Sequence, residues 1–538
     1  MKIALSQINT TVGDLDFNKE KILKYYSNSI KLNADIVVFP ELAITGYPPQ
    51  DLLLENGFVD DNLITLKEIA SQATIPMIIG FVRKENGRLY NSAALCQNGK
   101  IVNTYDKILL PTYDVFDEDR YFENGKIPGI WKMVIDGKKV NLGIQICEDL
   151  WDRDYNTKVS KLQKEKNADL IINISASPYH EGRIAERQEL IKEKVKDIKI
   201  PFLYCNLIGG QDELIFDGES LAYNANCEQI AQGKVFGEDL IIVDLETTSK
   251  KEYPVLPNEE KLYNALCLGV RDYFRKTGHT DALIGLSGGI DSALVACIAA
   301  DALESDKVHG VSMPSLFSSG HSKSDAKELA DNLNINFDTI AIQTVVNSFE
   351  NTLQGQFEGT IRNVAEENIQ ARTRGNILMA ISNKFGWMVL STGNKTEIAL
   401  GYCTLYGDMS GGLSVISDLS KIDVYRVSRW VNEVAGYDRI PKSTLEKAPS
   451  AELSEDQVDP FDYDIVSPLV DAIIEERKSP KELIKNGADK ELVMRLYRLI
   501  RINEFKRRQA APGLRVSPKA FGVGRRVPIV NHYQGKLV

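Results

Sequence analysis

The chain lacks most of the features that mark secreted, membrane or nucleic-acid-binding proteins. Its seven cysteines are scattered over 538 residues, and no two form a Cys-x-x-Cys pair. An odd, dispersed set argues against a disulfide framework or a zinc site and predicts reduced thiols in a cytoplasm. No apolar run is long enough to span a bilayer. The opening Met1-Lys2-Ile3-Ala4-Leu5-Ser6-Gln7 turns polar too soon for a signal peptide. Basic charge does not dominate: 64 Lys and Arg stand against 75 Asp and Glu, a net charge of −11. That balance argues against a nucleic-acid partner, because phosphate binding needs clustered basic charge. Internal repeats and low-complexity tracts are absent. What is present is a hydrophobic fraction of 43% and a charged fraction of 26%, the composition of a soluble globular chain. At this length it exceeds one ordinary domain.

The most specific stretch is Gly285-Leu286-Ser287-Gly288-Gly289-Ile290-Asp291-Ser292. The apolar run 281–285 before it reads as a buried strand, and residues 293–300 after it read as a helix. A strand, a tight Gly-Gly turn and a helix N-terminus make an anion site, because backbone N–H groups point outward and no Cβ blocks a phosphate. Ser287 and Ser292 add hydroxyl donors. Asp291 would repel a phosphate unless a cation lies between them, so its presence predicts Mg²⁺. The string is not the Gly-x-x-x-x-Gly-Lys-Ser/Thr loop of kinases and GTPases. It resembles the PP-loop of the ATP pyrophosphatases, which implies that ATP is cleaved to AMP and pyrophosphate and that a carboxylate or carbonyl is adenylated.

In the first half, three apolar strands each deliver a reactive residue. Residues 34–40 end at Glu41, residues 100–104 lead to Lys107, and residues 140–146 end at Cys147. Strand ends are favoured catalytic positions. A thiol is mostly protonated at neutral pH, and the thiolate is the nucleophile. Glu41 can take that proton and return it to a leaving amine, while Lys107 stabilises a tetrahedral oxyanion. The expected chemistry is amide hydrolysis through a thioester. Pro40-Glu41-Leu42, the Lys107 segment and Cys147-Glu148-Asp149 resemble the three signatures of the nitrilase superfamily, which implies an αββα sandwich with a Glu-Lys-Cys triad.

Further on, Ser175-Ala176-Ser177-Pro178-Tyr179, Gly182-Arg183 and the stretch from Asn206 to Gly218 are similar to the variety of this domain found in glutamine-dependent NAD synthetases. That resemblance implies that Glu148, Ser177 and Arg183 hold the glutamine backbone and that Tyr113 lines its pocket. Domain boundaries are expected at 1–245 for the amidohydrolase, 246–260 for a polar linker with two prolines, and 261–538 for the PP-loop domain. In the second half, strands at 307–314 and 335–342 alternate with a helix at 322–333. The alternation predicts a doubly wound parallel sheet with ligands at the strands' carboxyl ends. A long helix begins at Glu366 and puts Asn368 and Arg372 on one face. The strand 387–390 runs into Thr392 and Glu397, followed by Tyr402 and Lys421.

These segments resemble the NAD synthetase domain over nearly its whole length. The resemblance implies that 285–292, Thr392 and Lys421 bind ATP, and that Asp291 and Glu397 hold Mg²⁺. It also implies that Asn368, Arg372, Glu397, Tyr402 and Lys506 contact deamido-NAD. The implied reaction is ATP-dependent amidation of deamido-NAD⁺ to NAD⁺ with ammonia from glutamine, through an adenylate, with a dry channel between the sites. A homo-oligomer is implied too. Two alternatives stay open: a glutamine amidotransferase that adenylates another acid or carbonyl, as in GMP synthesis, and a regulatory nucleotide-binding protein whose sites no longer react.

Overall fold

Strands and helices fall where the apolar runs place them, in two compact units, Met1–Leu256 and Pro257–Val538. The computed structural model describes every residue except 136, 247–250, 455–456 and 534–538. Of the linker expected at 246–260, residues 247–250 lie outside the described residues. A helix, Asn258–Thr277, already starts within that span. Residues 455–456 and 534–538 of the expected second domain likewise lie outside the described residues.

In the first unit, continuous apolar strands form two six-stranded sheets. One runs, in spatial order, Asp239–Asp244, Lys2–Gln7, Ile36–Val38, Met77–Glu85, Arg88–Gln97 and Lys100–Asp106. The other runs Gln229–Gln232, Leu221–Tyr223, Phe202–Asn206, Leu170–Ser175, Lys138–Ile146 and Gly129–Ile135. Strands buried on both faces read as near-unbroken Val, Ile and Leu. One face of each sheet meets the other sheet through Leu5, Val38, Ile144, Ile172 and Leu203. The outer face of the first sheet packs on Ile22 and Tyr26 of helix Leu15–Lys31 and on Leu66 and Ile69 of helix Phe58–Ser71. The outer face of the second packs on Leu190, Ile191 and Val195 of helix Arg183–Ile198. The result is the αββα sandwich expected from the sequence.

In the second unit, five parallel strands lie in the order Asn336–Thr339, Val308–Ser312, Ala282–Gly285, Met388–Ser391 and Leu413–Ser414. The strand order reverses between Ala282–Gly285 and Met388–Ser391, and ligands bind at such a switch point. Leu283, Val311 and Val389 pack against Ile369 and Leu378 of helix Val364–Phe385. Helix Ile290–Leu303, apolar on every side, is almost wholly buried. The helices Tyr463–Ile474 and Lys490–Ile502, which the strand–helix alternation does not foresee, bury Val466, Val470, Leu496 and Ile500 against Ala399 and Leu400.

Candidate active sites

Glu41, Lys107 and Cys147 meet at one buried centre of the first unit. The path there is short. Lys138–Ile146 pairs in parallel with Leu170–Ser175, which pairs in parallel with Phe202–Asn206, so Cys147, Ala176 and Leu207 leave the same sheet edge. In the facing sheet, Ile36–Val38 runs parallel to Lys2–Gln7 and Met77–Glu85 and carries the chain to Glu41. Gly80 lets this segment come close: a Cβ there would sit 2.3 Å from the Leu42 nitrogen. Cys147 itself has φ +40°, in the left-handed region that a side chain adopts only when its surroundings impose it.

Lys107 Nζ lies 2.8 Å from Glu41 Oε1 and 2.8 Å from Glu118 Oε2. Asn91 Nδ2 donates to Glu41 Oε1 at 2.7 Å, and the Ala176 N–H donates to Glu41 Oε2 at 2.8 Å. Tyr47 donates its hydroxyl to Glu118 Oε1 at 2.9 Å. Asp149 ties the lysine segment to the cysteine turn: it accepts from the Ile108, Leu109 and Ile146 N–H groups at 3.1, 3.0 and 2.9 Å and from the Tyr105 hydroxyl at 2.7 Å. Burial pulls the Lys107 pKa down, but Glu118 and Glu41 more than offset it, leaving the ammonium well above its ordinary range. Burial and then Glu41 push the Cys147 thiol far up. The nucleophile therefore rests as a neutral thiol beside a carboxylate able to take its proton.

Beside this centre, Tyr113 and Tyr155 donate to Glu148 at 3.0 and 3.1 Å. Burial raises Glu148 to about 7. The Arg183 guanidinium lies 3.6 Å over the Trp151 ring and pairs with Glu186 at 3.0 Å. Among the described residues, Ser177 Oγ and Arg183 Nε are buried without a hydrogen-bond partner. Buried polar atoms are seldom left unpaired. One carboxylate, one guanidinium and one orphan hydroxyl suit the ammonium and carboxylate of a free amino acid.

In the second unit, the Gly-rich loop 285–292 lines a cavity of about 300 Å³ at the switch point, with Thr392, Glu397, Tyr402 and Lys421. Gly288 has φ +76°, and a Cβ there would meet Ser322 O at 2.3 Å, so the turn requires glycine. Lys421 Nζ bonds Asp291 Oδ2 and lies 3.1 Å from Glu397 Oε1. Asn394 caps helix Lys395–Leu400 by accepting from the Glu397 N–H at 3.1 Å, and its Nδ2 donates to Asp291 Oδ1 at 2.9 Å. Burial raises Glu397 to about 7; Lys421 pulls against this and Asp291 adds to it.

Asn368, Arg372 and Lys506 do not line this cavity. They hold the neighbouring segment 401–405 instead. Asn368 Oδ1 accepts from Thr404 Oγ1 at 2.7 Å, and Arg372 Nε donates to Leu405 O at 3.2 Å. Lys506 Nζ donates to Gly401 O at 2.7 Å and Cys403 O at 2.8 Å. Among the described residues no group of three His, Cys, Asp or Glu could hold a metal ion. Asp291 and Glu397 nevertheless converge on one ammonium. Two hard oxygen donors beside a phosphate loop fit Mg²⁺, which takes one or two carboxylates and completes its shell with water and phosphate.

Known proteins divide the chain in the same way. A carbon-nitrogen hydrolase family model matches residues 2–254, and an NAD synthase model matches residues 262–510. A protein of Thermotoga maritima named glutamine-dependent NAD(+) synthetase is 40% identical, with 100% of both chains covered. The chain belongs to the glutamine-dependent NAD(+) synthetase family. A member from Synechocystis sp. is 42% identical over 99% of each chain. A solved structure of the Acinetobacter baumannii member, in complex with ADP, is 38% identical and covers 98% of each chain with a TM-score of 0.80.

Two residues of this family member's sites escape sequence reading. Glu118 sits in the short turn Glu118–Arg120 and follows no strand, so no strand-end signal marks it. Asn394 is visible as a helix cap three residues before Glu397, the capping-box spacing, but that spacing does not announce the bond to Asp291.

Proposed function

We propose that this chain makes NAD⁺ by amidating deamido-NAD at the expense of ATP, with ammonia from glutamine. The observation that carries the reading is that both halves of the chemistry stand in one chain: a Glu-Lys-Cys centre beside an amino-acid pocket, and a Gly-rich loop facing a carboxylate pair.

In the first unit Glu41 takes the Cys147 proton as sulfur attacks the glutamine amide carbon. Lys107 stabilises the oxyanion, a contribution of roughly 3–4 kcal/mol for a donor of this kind. Glu41 then protonates the departing ammonia, and water releases glutamate from the thioester. Glu148 binds the substrate ammonium, Arg183 and Ser177 bind its carboxylate, and Tyr113 lines the pocket. In the second unit the loop 285–292, Thr392 and Lys421 hold ATP. The nicotinate carboxylate attacks the α-phosphate, pyrophosphate leaves, and ammonia displaces AMP from the adenylate. Asp291 and Glu397 would hold Mg²⁺, which offsets triphosphate charge when bound. Asn368, Arg372 and Lys506 act on deamido-NAD through the 401–405 segment that they brace, and Tyr402 and Glu397 face it from the cavity. Seven free cysteines support a reducing, cytoplasmic setting. The family resemblance leads us to expect a homo-oligomer, which light scattering would measure.

The test is AMP formation from ATP with and without deamido-NAD, on glutamine and on an ammonium salt, for wild type and Cys147→Ala. AMP should appear only with deamido-NAD, and the variant should fail on glutamine but work on ammonium. Glutaminase activity with no response to deamido-NAD would assign the second unit to another acid.

A further inference from the structure

The nucleotide cavity carries an arginine that none of the roles above uses. Arg374 lies on helix Val364–Phe385 and lines the cavity two residues past Arg372, which is exposed and bonds Leu405 O instead. Its Nε donates to Met313 O at 3.0 Å, just past the end of strand Val308–Ser312. Among the described residues, nothing accepts from its two terminal NH₂ groups, and its guanidinium makes no ion pair. The nearby acids are already engaged. Glu452 pairs with Lys447 at 2.5 Å and accepts from Ser322 Oγ at 2.9 Å. Asp408 accepts from the Thr404 N–H at 2.6 Å.

Burial draws Arg374 down to about 10, with Glu452 and Asp408 only partly offsetting it. The group is thus a partly buried cation in the cavity wall that stays charged at neutral pH. Buried charges are ordinarily paired, because an unpaired one costs a great deal. Here the free NH₂ groups belong to a residue of the cavity wall, and the same cavity is lined by the anion-binding loop 285–292.

We propose that Arg374 is a nucleotide-binding residue whose terminal NH₂ groups take phosphate oxygens of the ATP held over the Gly-rich loop. The inference rests on the ATP-binding reading of this cavity. A planar guanidinium matches phosphate bidentately, which a lysine cannot do. The Met313 bond holds its Nε side, leaving the fork of the two NH₂ groups for the ligand.

Calorimetric titration of the full-length protein with Mg-ATP, adenosine and deamido-NAD separates the outcomes. Arg374→Gln should weaken ATP by roughly 10- to 100-fold, the range for losing a hydrogen bond to a charged group. Adenosine, which has no phosphate, should bind both proteins equally, and Arg374→Lys should restore part of the loss. Equal weakening of ATP and adenosine would mean that Arg374 only shapes the wall through Met313, and would overturn the proposal. So would unchanged ATP affinity, or a loss confined to deamido-NAD. Wild-type protein that binds no ATP would instead overturn the reading beneath it.

Discussion

Lys107 in the first unit and Lys421 in the second each hold two carboxylates on one ammonium. Lys107 joins Glu41 and Glu118, with side-chain exposures of 0%, 0% and 6%. Lys421 joins Asp291 and Glu397, with exposures of 3%, 18% and 17%. In both, burial opposes the ammonium and the two acids outweigh that penalty. The difference is the solvent edge. Around Lys107 the pairs are sealed from solvent, so under the proposed function they would fix charge where an oxyanion forms. Around Lys421 both acids reach the cavity, so under the proposed function another cation could take the ammonium's place and free it for a phosphate. On the proposed function, one charge motif would act as a fixed catalytic device when sealed and as an exchangeable binding site when one side is open.

Removing each ammonium breaks the comparison most directly. Lys107→Met should cut glutamine-driven NAD⁺ formation by about 10²–10³, the effect of losing one oxyanion donor. The ammonium-driven rate should stay near wild type. The same change strands Glu41 and Glu118, and breaking a buried pair costs about 3–5 kcal/mol, read as a lower urea midpoint for the first unit. Lys421→Met should lower ATP-dependent turnover on either nitrogen source by roughly 10- to 100-fold, as losing a charge-assisted phosphate contact does. Its acids can hydrate, so the loss of stability should be smaller than for Lys107→Met. Mg²⁺ binding in the absence of nucleotide should tighten, because the competing ammonium is gone. If calorimetry shows weaker Mg²⁺ binding in that variant, the exchangeable site is wrong and Lys421 is as fixed as Lys107.

The same solvent edge explains what could be read from the chain. Glu41 and Cys147 each follow a strand whose end is buried and apolar, the clearest pattern a sequence offers, whereas Lys107 follows the edge strand Lys100–Asp106, whose first five residues are exposed. The Gly-rich loop is legible because its glycines answer to a backbone need, and Gly288 meets Ser322 as that need predicts. Glu118 was not legible. It reaches Lys107 from a turn whose backbone is held by the Glu118 N–H to Pro111 O bond, at 3.1 Å, and turn placement depends on tertiary packing. Asn368, Arg372 and Lys506 were singled out by resemblance, and the structure puts them on the backbone of 401–405 rather than in the cavity wall. Neither their spacing nor their charge distinguishes those two placements. The tail shows the same limit: Arg525 pairs with Glu504 at 2.7 Å and lies over Phe521, a contact between residues 21 apart that no periodicity encodes.

A smaller effect sharpens the comparison through pH. Glu148 and Glu397 are both raised to about 7, first of all by burial. Each is therefore charged above that pH and takes up a proton below it. Among the described residues the Glu148 carboxylate accepts only from tyrosine hydroxyls, so under the proposed function its charge is available to the glutamine ammonium. The KM for glutamine should be flat above pH 7 and rise up to about tenfold per unit below it, as expected when only the ionised form binds. Glu148→Gln should raise KM at pH 8 and remove that limb. In the second unit Lys421 competes for Glu397, and protonation of Glu397 would loosen Lys421 as well as discharge the acid. The two effects oppose each other, so the KM for ATP, measured on ammonium at constant free ammonia, should depend on pH less steeply. Equal slopes for glutamine and ATP would mean that Lys421 does not shield Glu397, and that the open site behaves as the simpler pocket beside Cys147 does.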